Sequence, residues 1–412
     1  MNKKMLKDYA KLIVEIGANV QKGQDVVVYA RVNEAYFAEY IVEACYKMKA
    51  RSVRVEWSDD KITRLKYKYE SLKTMTTIPE WNLKKWEYDV NTLPAKIYIV
   101  SDDPDALKGI DPDKYTNVKM KNGPVIMKYR EQMDNKYQWV IAGIPSEAWA
   151  KKVFPNESKN NAVKKLWDAI LTATRAYGDP IENWKDHNKV LKEKCNWLNN
   201  LGIDELYYKS SNGTDFSIKL KKGMIFDGGA ANTVSGVVYQ PNMPTEECFT
   251  SPDKYSANGV VMATKPLSVD GKVVNNFGFK FKDGKVIEVI AEEKEHKEVL
   301  EHLISVDEGA KRLGEVALVP FDSPINQTNI LFYETLYDEN ACCHLALGRA
   351  FNECIKGFET MTDDEIKAFD LNTSIIHVDF MIGSRDLSIK AKTYDGKIVD
   401  IFKNGTWAWY IQ

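Results

Sequence analysis

The sequence is poor in the residues and motifs that many hydrolases and nucleotide-binding proteins require. It has only five histidines in 412 residues, and no serine lies in a G-x-S-x-G elbow. Neither G-x-G-x-x-G nor G-x-x-x-x-G-K-[ST] is present, which argues against dinucleotide and ATP binding. These absences exclude the usual serine-triad and phosphate-loop enzymes.

Other absences concern compartment and partners. The six cysteines form no C-x-x-C pair, which in a long chain without a secretion signal predicts reduced thiols in a cytoplasmic protein. The formal net charge is −2, so no basic excess favours nucleic acid or an anionic membrane. No apolar run approaches the roughly 20 residues of a membrane helix. We therefore expect a cytoplasmic protein with neither nucleic-acid nor membrane partners.

The first third of the chain alternates short apolar runs with helical stretches. The candidate strands are 25–30, 52–57, 96–101 and 137–143. Strands separated by helical crossovers predict an open, mostly parallel α/β sheet. A helical bridge follows over about 146–200, so we predict an N-terminal α/β domain at 1–195 that includes this bridge.

Beyond Gly202 the pattern changes to short alternating segments joined by Asn-Gly and Asp-Gly turns, which predict antiparallel hairpins. We therefore predict a C-terminal α+β domain at 196–412 with a largely antiparallel sheet. Two S/T-x-x-E patterns, 305–308 and 362–365, predict helix starts. The segment from Asn340 is interpreted as a helix that places His344 and Phe351 on one face.

The most suggestive short pattern is His377-Val-Asp379 within an apolar strand-like run. Alternate side chains of a strand point to opposite faces, so the imidazole and the carboxylate share a face. Such a pair on a rigid strand suits a divalent metal ion. A satisfied His–Asp pair on a half-buried strand explains the same pattern, and the motif alone does not separate the two.

Further acids and one histidine stand in loop-like or apolar settings of the same half: Glu246, Glu247, Glu315, Glu339 and His344. Taken singly, each has a structural explanation, such as a solvated turn, an arginine pair or a buried core histidine. His296 and His302 lie on a charged stretch whose spacing is not that of a zinc site, and we predict a solvated helix. Several carboxylates with one or two imidazoles are the ligands typical of a two-metal hydrolase.

Seven segments carry a family resemblance through their order and spacing: N-M-P-T-E-E at 242–247, T-K-P-L at 264–267, D-E-G-A at 307–310, G-E-V-A-L-V-P at 314–320, D-E-N at 338–340, H-L-A-L-G at 344–348 and H-V-D-F-M-I-G at 377–383. Together they resemble the thermophilic metallo-aminopeptidase family, the group of aminopeptidases T, II and S. The resemblance is specific over 205–405 and less sharp in the N-terminal half.

The resemblance implies a homodimeric aminopeptidase that removes N-terminal residues from peptides with a water activated by two divalent metal ions, Zn, Co, Mn or Mg. The ligands it implies, with Glu315 as the bridge, are Glu247, Glu315, Glu339, His344, His377 and Asp379. Glu246 remains an alternative to Glu247. Whichever of these two does not bind metal is the candidate general base.

One position departs from the family pattern. The family has a tyrosine seven residues after the first ligand histidine, where its hydroxyl can hydrogen-bond the tetrahedral intermediate, and this chain has Phe351. Losing one such donor typically costs about 10²–10³ in rate. The departure predicts a slower enzyme, an enzyme with a substitute donor such as Arg349, or a non-catalytic peptide-binding relative. Another two-metal hydrolase, such as a phosphoesterase, is a further rival, although no basic cluster accompanies the motifs.

Overall fold

The structure is a computed structural model that describes residues 2–269 and 272–408. Its α-helices are α1 Lys3–Leu12, α2 Ala35–Lys47, α3 Asp60–Tyr69, α4 Leu72–Met75, α5 Glu80–Thr92, α6 Pro112–Met133, α7 Glu147–Val153, α8 Lys159–Ala173, α9 Pro180–Leu201, α10 Lys294–Ser305, α11 Pro324–Gln327, α12 Thr335–Asp338 and α13 Asp363–Ala368. A π-helical turn follows α1 at Ile13–Gly17, and short 3-10 turns occur at Val32–Glu34, Gly309–Lys311, Glu339–Ala341, Asn352–Cys354 and Phe358–Thr360. Among the residues that the structure describes, every helix is too short or too polar to span a membrane.

The strands are mostly short, and the majority lie in the second half of the chain. They are β1 Asp25–Arg31, β2 Ser52–Ser58, β3 Ala95–Val100, β4 Trp139–Gly143, β5 Ile203–Lys209, β6 Asp215–Lys219, β7 Ala231–Asn232, β8 Val238–Tyr239, β9 Asn242–Met243, β10 Cys248–Thr250, β11 Asn258–Met262, β12 Leu267–Val269, β13 Lys272–Val274, β14 Phe277–Lys282, β15 Lys285–Ala291, β16 Leu313–Leu318, β17 His344–Gly348, β18 His377–Met381, β19 Ser388–Thr393, β20 Ile398–Lys403 and β21 Thr406–Trp407.

The chain divides into two compact units. The first unit takes the residues up to Asp186, the segment Ala230–Pro244 and Lys272. The second unit takes His187–Gly229, Thr245–Val269 and the residues from Val273 onward. The division into domains 1–195 and 196–412 stays a prediction.

The first unit is built on the predicted parallel sheet, with strand order β2-β1-β3-β4-β9. All four predicted strands are present and pair in parallel. Val26, Val27 and Val28 of β1 are at most 1% exposed, which explains why this strand is a continuous apolar run. The prediction of an open, mostly parallel α/β sheet is therefore confirmed.

The second unit contains two antiparallel sheets. An eight-stranded sheet has the order β15-β14-β11-β6-β5-β19-β20-β21, and a four-stranded sheet has the order β10-β16-β17-β18. Phe380 on β18 packs against Phe279 and Phe277 on β14, with ring centroids 5.1 and 6.3 Å apart. The two sheets thus share an apolar core, as in other face-to-face packings. The prediction of a largely antiparallel α+β region is confirmed.

The helix expected from Asn340 is wrong. Residues 344–348 form β17, which pairs with β16 on one side and with β18 on the other. Hydrophobic periodicity cannot separate a buried strand from a buried helix over such a short apolar run. Long-range pairing with two strands decides the conformation, so His344 and Phe351 do not share a helical face.

The two S/T-x-x-E patterns behave differently. Thr362 opens α13 in a complete capping box, with the Glu365 side chain accepting from the Thr362 backbone. Ser305 instead ends α10, and its hydroxyl donates to the His302 carbonyl over 2.7 Å. The helix start predicted at 362–365 is confirmed. The helix start predicted at 305–308 is wrong, because the same four-residue pattern can follow a helix as well as precede one.

Candidate metal centre

One face of the four-stranded sheet carries four of the predicted metal ligands, Glu315, His344, His377 and Asp379. The register places Ala317 opposite His344, and Ala346 between Glu315 and Asp379. Directly opposed residues of antiparallel strands share a face. We call this side the ligand face; its residues are Phe249, Glu315, Ala317, His344, Ala346, His377 and Asp379. The opposite face is apolar and buried, with Val316, Leu318, Leu345, Leu347 and Phe380.

A bulge in β16 lies directly before Glu315. The register with β17 shifts between Leu313 and Glu315, as expected where an extra residue bends a strand. At Gly314 an added Cβ would lie 2.3 Å from the carbonyl oxygens of Gly348 and Arg349. Only glycine permits so close an approach of backbone to backbone. Gly314 therefore allows the bend from which the Glu315 side chain projects.

The structure brings five predicted ligands into two groups that share Glu315. The groups are Glu247, Glu315 and His344, and Glu315, His377 and Asp379, and in each the ligand atoms lie within 4.8 Å of one another. The His344 Nε2 is 3.3 Å from the Glu247 Oε2. The His377 Nε2 is 3.0 Å from the Glu315 Oε2 and 3.2 Å from the Asp379 Oδ1. Tetrahedral ligands at about 2.1 Å from an ion stand about 3.4 Å apart, so these spacings fit coordination shells.

Glu339 lies beside the two groups and belongs to neither. It occupies the 3-10 turn that precedes β17 and is half-buried. Burial raises its pKa well above the usual value, and the charges of Asp379, Glu247 and Glu315 raise the pKa further. The Glu339 carboxylate therefore interacts electrostatically with Asp379, Glu247 and Glu315.

Glu246 points to different partners from those of Glu247. Its backbone N–H donates to the Asn340 Oδ1 over 2.7 Å, and its Oε2 is 3.9 Å from the His187 Nε2. The structure therefore groups Glu247, and not Glu246, with Glu315 and His344.

Two residues at this site, His187 and Asn340, were not predicted as site residues from the sequence. The His187 Nε2 donates to the Thr245 carbonyl over 2.7 Å, just before the glutamate pair. Asn340 is fully buried, and its Nδ2 donates to the Leu336 carbonyl at 2.9 Å and lies 3.4 Å from a Glu339 oxygen. His187 lies within a charged stretch of helix, so no local pattern distinguishes it. Asn340 could have been found only through its position beside Glu339.

The β18 ligands are held by contacts outside the two groups. The His377 Nδ1 donates to the Arg349 carbonyl over 2.8 Å, which fixes the ring orientation and leaves Nε2 toward the carboxylates. Asp307 accepts hydrogen bonds from the Ser374 hydroxyl and from the Ile375 backbone, the latter over 2.8 Å. These bonds secure the chain immediately before the strand begins.

The electrostatics of the site show a surplus of buried acid. Burial raises the pKa of Glu315 to about 7, although the hydrogen bond with His377 acts to lower it. The negative charges of Asp379 and Glu247 add to the rise. Burial alone would lower the pKa of His344, but Glu247 and the other acids raise it to about 9. In the same way Asp379 and Glu315 hold the pKa of His377 well above its usual value. The acids of the site therefore favour the charged form of both imidazoles.

Divalent cations fit this donor set. In the described part of the chain, the ion-pair partners of Glu247, Glu315 and Asp379 are His344 and His377, with no lysine or arginine among them. The Nδ1 of His344 has no hydrogen-bond partner among the described residues, although the residue is 1% exposed. Buried carboxylates need compensation, and oxygen with imidazole donors accepts Zn, Co, Mn or Mg.

Comparisons with known proteins identify the family of the chain. The sequence model of the thermophilic metalloprotease family (M29) matches residues 2–407. Aminopeptidase AmpS of Bacillus subtilis (strain 168) is 43% identical over 405 residues, and aminopeptidase 2 of Geobacillus stearothermophilus is 39% identical over 407 residues, with 98% of each chain covered in both cases. The solved structure of wild-type AmpT from Thermus thermophilus has a TM-score of 0.89 and 34% identity, covering 99% of this chain and 100% of that one.

The family-model match over residues 2–407 extends over both units. The comparisons confirm the resemblance found through the segments between 242 and 383, and they extend it to the N-terminal half. The chain belongs to the thermophilic metalloprotease family M29, a family of metal-dependent aminopeptidases.

Proposed function

We propose that this protein removes N-terminal residues from peptides with two divalent ions held on the ligand face. The residues that would hold them are Glu247, Glu315, Glu339, His344, His377 and Asp379. The observation that carries the proposal is the sharing of Glu315 by two ligand groups, because a shared carboxylate is what a bridged metal pair needs. When bound, such a pair supplies Lewis acidity at the scissile carbonyl and lowers the pKa of a water toward neutrality.

The chain's own residues would divide the remaining tasks. Glu247 is the ligand of the glutamate pair, because its carboxylate meets Glu315 and His344. Glu246 is then the general base, which takes a proton from the water and gives it to the leaving amine. Asn340 holds the Glu246 backbone, and His187 lies against its carboxylate. The surplus of acid would also attract the free α-ammonium group of a peptide.

We further propose a cytoplasmic homodimer, as the family resemblance implies. All six cysteines are free and buried, which suits a reducing compartment. The donor set accepts several ions, so Zn, Co, Mn and Mg are all candidates.

Metal removal is the test of this function. After dialysis against a chelator, the protein should lose hydrolysis of leucine p-nitroanilide, and one of Zn, Co, Mn or Mg should restore it. N-acetyl-leucine p-nitroanilide is the matched control, because it lacks the free amino group and should stay intact. Absence of hydrolysis with every metal, or preferential cleavage of p-nitrophenyl phosphate, would contradict the proposal.

The residue at position 351 determines the kcat that we expect for the enzyme. The Phe351 ring packs 4.8 Å from the His377 ring, and its backbone N–H donates to the Ser251 hydroxyl over 2.8 Å. A tyrosine would fit this place and add the missing donor beside the site. We therefore expect Phe351→Tyr to raise kcat by about 10–100-fold, somewhat less than the loss measured when such donors are removed.

The measurement is steady-state hydrolysis of leucine p-nitroanilide with both proteins fully metal-loaded. Phe249→Tyr is the matched control, since it adds a hydroxyl to the neighbouring ring, and it should not reproduce the gain. An unchanged kcat for Phe351→Tyr would show that another group already serves as the donor.

A further inference from the structure

We infer that Phe249 and Phe351 form an aromatic wall beside the metal ligands, and that this wall selects peptides with a bulky apolar N-terminal residue. The inference rests on the proposed function and names its substrate class. It depends on where the two rings lie, on how firmly their backbones are held, and on what surrounds them.

Phe249 lies on the ligand face. On β10 it stands opposite Ala317, which itself stands opposite His344. Glu247 is two residues earlier, so an extended chain directs both side chains to the same side. Cys248 between them points into the core and is fully buried. The Phe249 ring therefore stands next to the Glu247 ligand and is half-buried.

Phe351 completes the wall over His377. Its ring meets the Phe249 ring edge-on, with centroids 5.6 Å apart and planes at 74°, a favoured aromatic geometry. Its centroid also lies 4.8 Å from that of the His377 ring, and it is half-buried like Phe249. The wall thus extends from the first ligand group to the second.

Both rings are carried on fixed backbone. Phe249 exchanges two backbone hydrogen bonds with Asp227, of 2.9 and 2.8 Å, while β16 pairs with its other side. Phe351 is held by the buried Ser251, whose hydroxyl accepts from the Phe351 N–H and lies 3.3 Å from its carbonyl oxygen. A surface whose backbone is held by hydrogen bonds can select among side chains by their shape, because it does not deform to accommodate a poorly fitting one.

Small side chains separate the charged residues of the ligand face. Ala317 and Ala346 are the ligand-face residues between the acids and histidines, and their methyl groups occupy little volume. When an amino group and the adjacent carbonyl are held at the ligands, the N-terminal side chain must lie within a few ångströms of them. The Phe351 ring of the wall, whose centroid is 4.8 Å from that of the His377 ring, is an apolar surface within such a distance of a ligand.

The chemistry of the wall defines the preferred residue. Because position 351 is phenylalanine, the two rings present hydrocarbon and no hydroxyl. An apolar side chain gains free energy by covering such a surface, while an acidic side chain would meet the surplus of carboxylates. The favoured substrates are therefore peptides beginning with residues such as leucine, methionine or phenylalanine.

The test compares p-nitroanilides of alanine, leucine, phenylalanine, glutamate and lysine on the metal-loaded enzyme and on Phe249→Ala. The wild-type enzyme should prefer leucine and phenylalanine over alanine by about tenfold or more in kcat/KM, which is the scale of discrimination in an apolar pocket. Phe249→Ala should reduce the leucine-to-alanine ratio about tenfold. Phe369→Ala, which removes a half-buried phenylalanine at the end of α13, is the matched control and should keep the ratio.

A ratio is informative even when a variant is less stable, since loss of folded enzyme lowers both rates equally. Phe249→Leu, a milder change, should give an intermediate ratio. An unchanged ratio in Phe249→Ala, or a wild-type preference for lysine, glutamate or alanine, would overturn the inferred selectivity of the aromatic wall. Neither result would contradict the proposed aminopeptidase activity. Failure of the wild-type enzyme to cleave any of the five would refute the proposed function and the wall together.

Discussion

Glu315→Ala is expected to lose both metal ions and to lower kcat/KM by about 10⁴-fold, roughly 5.5 kcal/mol of transition-state stabilisation. The reason is that Glu315 is the member common to the two ligand groups. Glu315 is 4% exposed and its Oε2 lies 3.0 Å from the His377 Nε2, so no other described carboxylate takes its place between the two groups. Loss of the bridge leaves each group with two donors, too few for tight binding of a divalent ion.

The measurement combines metal content by elemental analysis with hydrolysis of leucine p-nitroanilide. His377→Ala is a graded comparison, since it removes a donor from one group and should cost one ion and most of the activity. Glu334→Gln is the matched control: burial raises the pKa of Glu334 to about 8, yet this acid belongs to neither group and its variant should keep both ions. A fully metal-loaded, active Glu315→Ala would refute the assignment.

Glu246→Gln and Glu247→Gln should fail in different ways. Glu247→Gln removes a ligand that lies 3.3 Å from His344 and should lower metal content along with activity. Glu246→Gln should keep its metal and its KM but lose about 10²–10⁴ in kcat, the usual contribution of a general base. The two variants are matched in charge and volume, so each is the control for the other.

The pH profile separates the roles further. A base must be deprotonated to act, so kcat/KM of the wild-type enzyme should fall as pH drops below the pKa of the base, and Glu246→Gln should lose this acidic limb. Retention of full activity by Glu246→Gln would contradict its role as the general base. Loss of metal by Glu246→Gln alone would reverse the assignment within the pair.

Parts of the fold and of the site could be read directly from local sequence. Strand β1 could be recognised as a continuous apolar run, because Val26, Val27 and Val28 are all buried and point alternately to the two faces of the sheet. His377 and Asp379 follow from the two-residue period of a strand, and the structure places both beside Glu315. The complete ligand set was implied by the family resemblance, since no single segment specifies it.

Other features depend on contacts that no local pattern encodes. His344 lies in a five-residue apolar run whose conformation is decided by β16 and β18. The distinction between Glu246 and Glu247 follows from the pairing of Phe249 with Ala317, which directs every second residue to the ligand face. His187 meets Thr245 across 58 residues of chain, so its contribution is a property of the folded unit.

The central claim is that acids and imidazoles from distant segments form one site for a pair of divalent ions bridged by Glu315. Anomalous scattering from crystals of the active, metal-loaded enzyme tests it most directly. We expect two peaks about 3.5–4 Å apart on either side of the Glu315 carboxylate, one beside Glu247 and His344 and the other beside His377 and Asp379. A single peak remote from Glu315, or an active enzyme with no metal peak at these residues, would contradict the account.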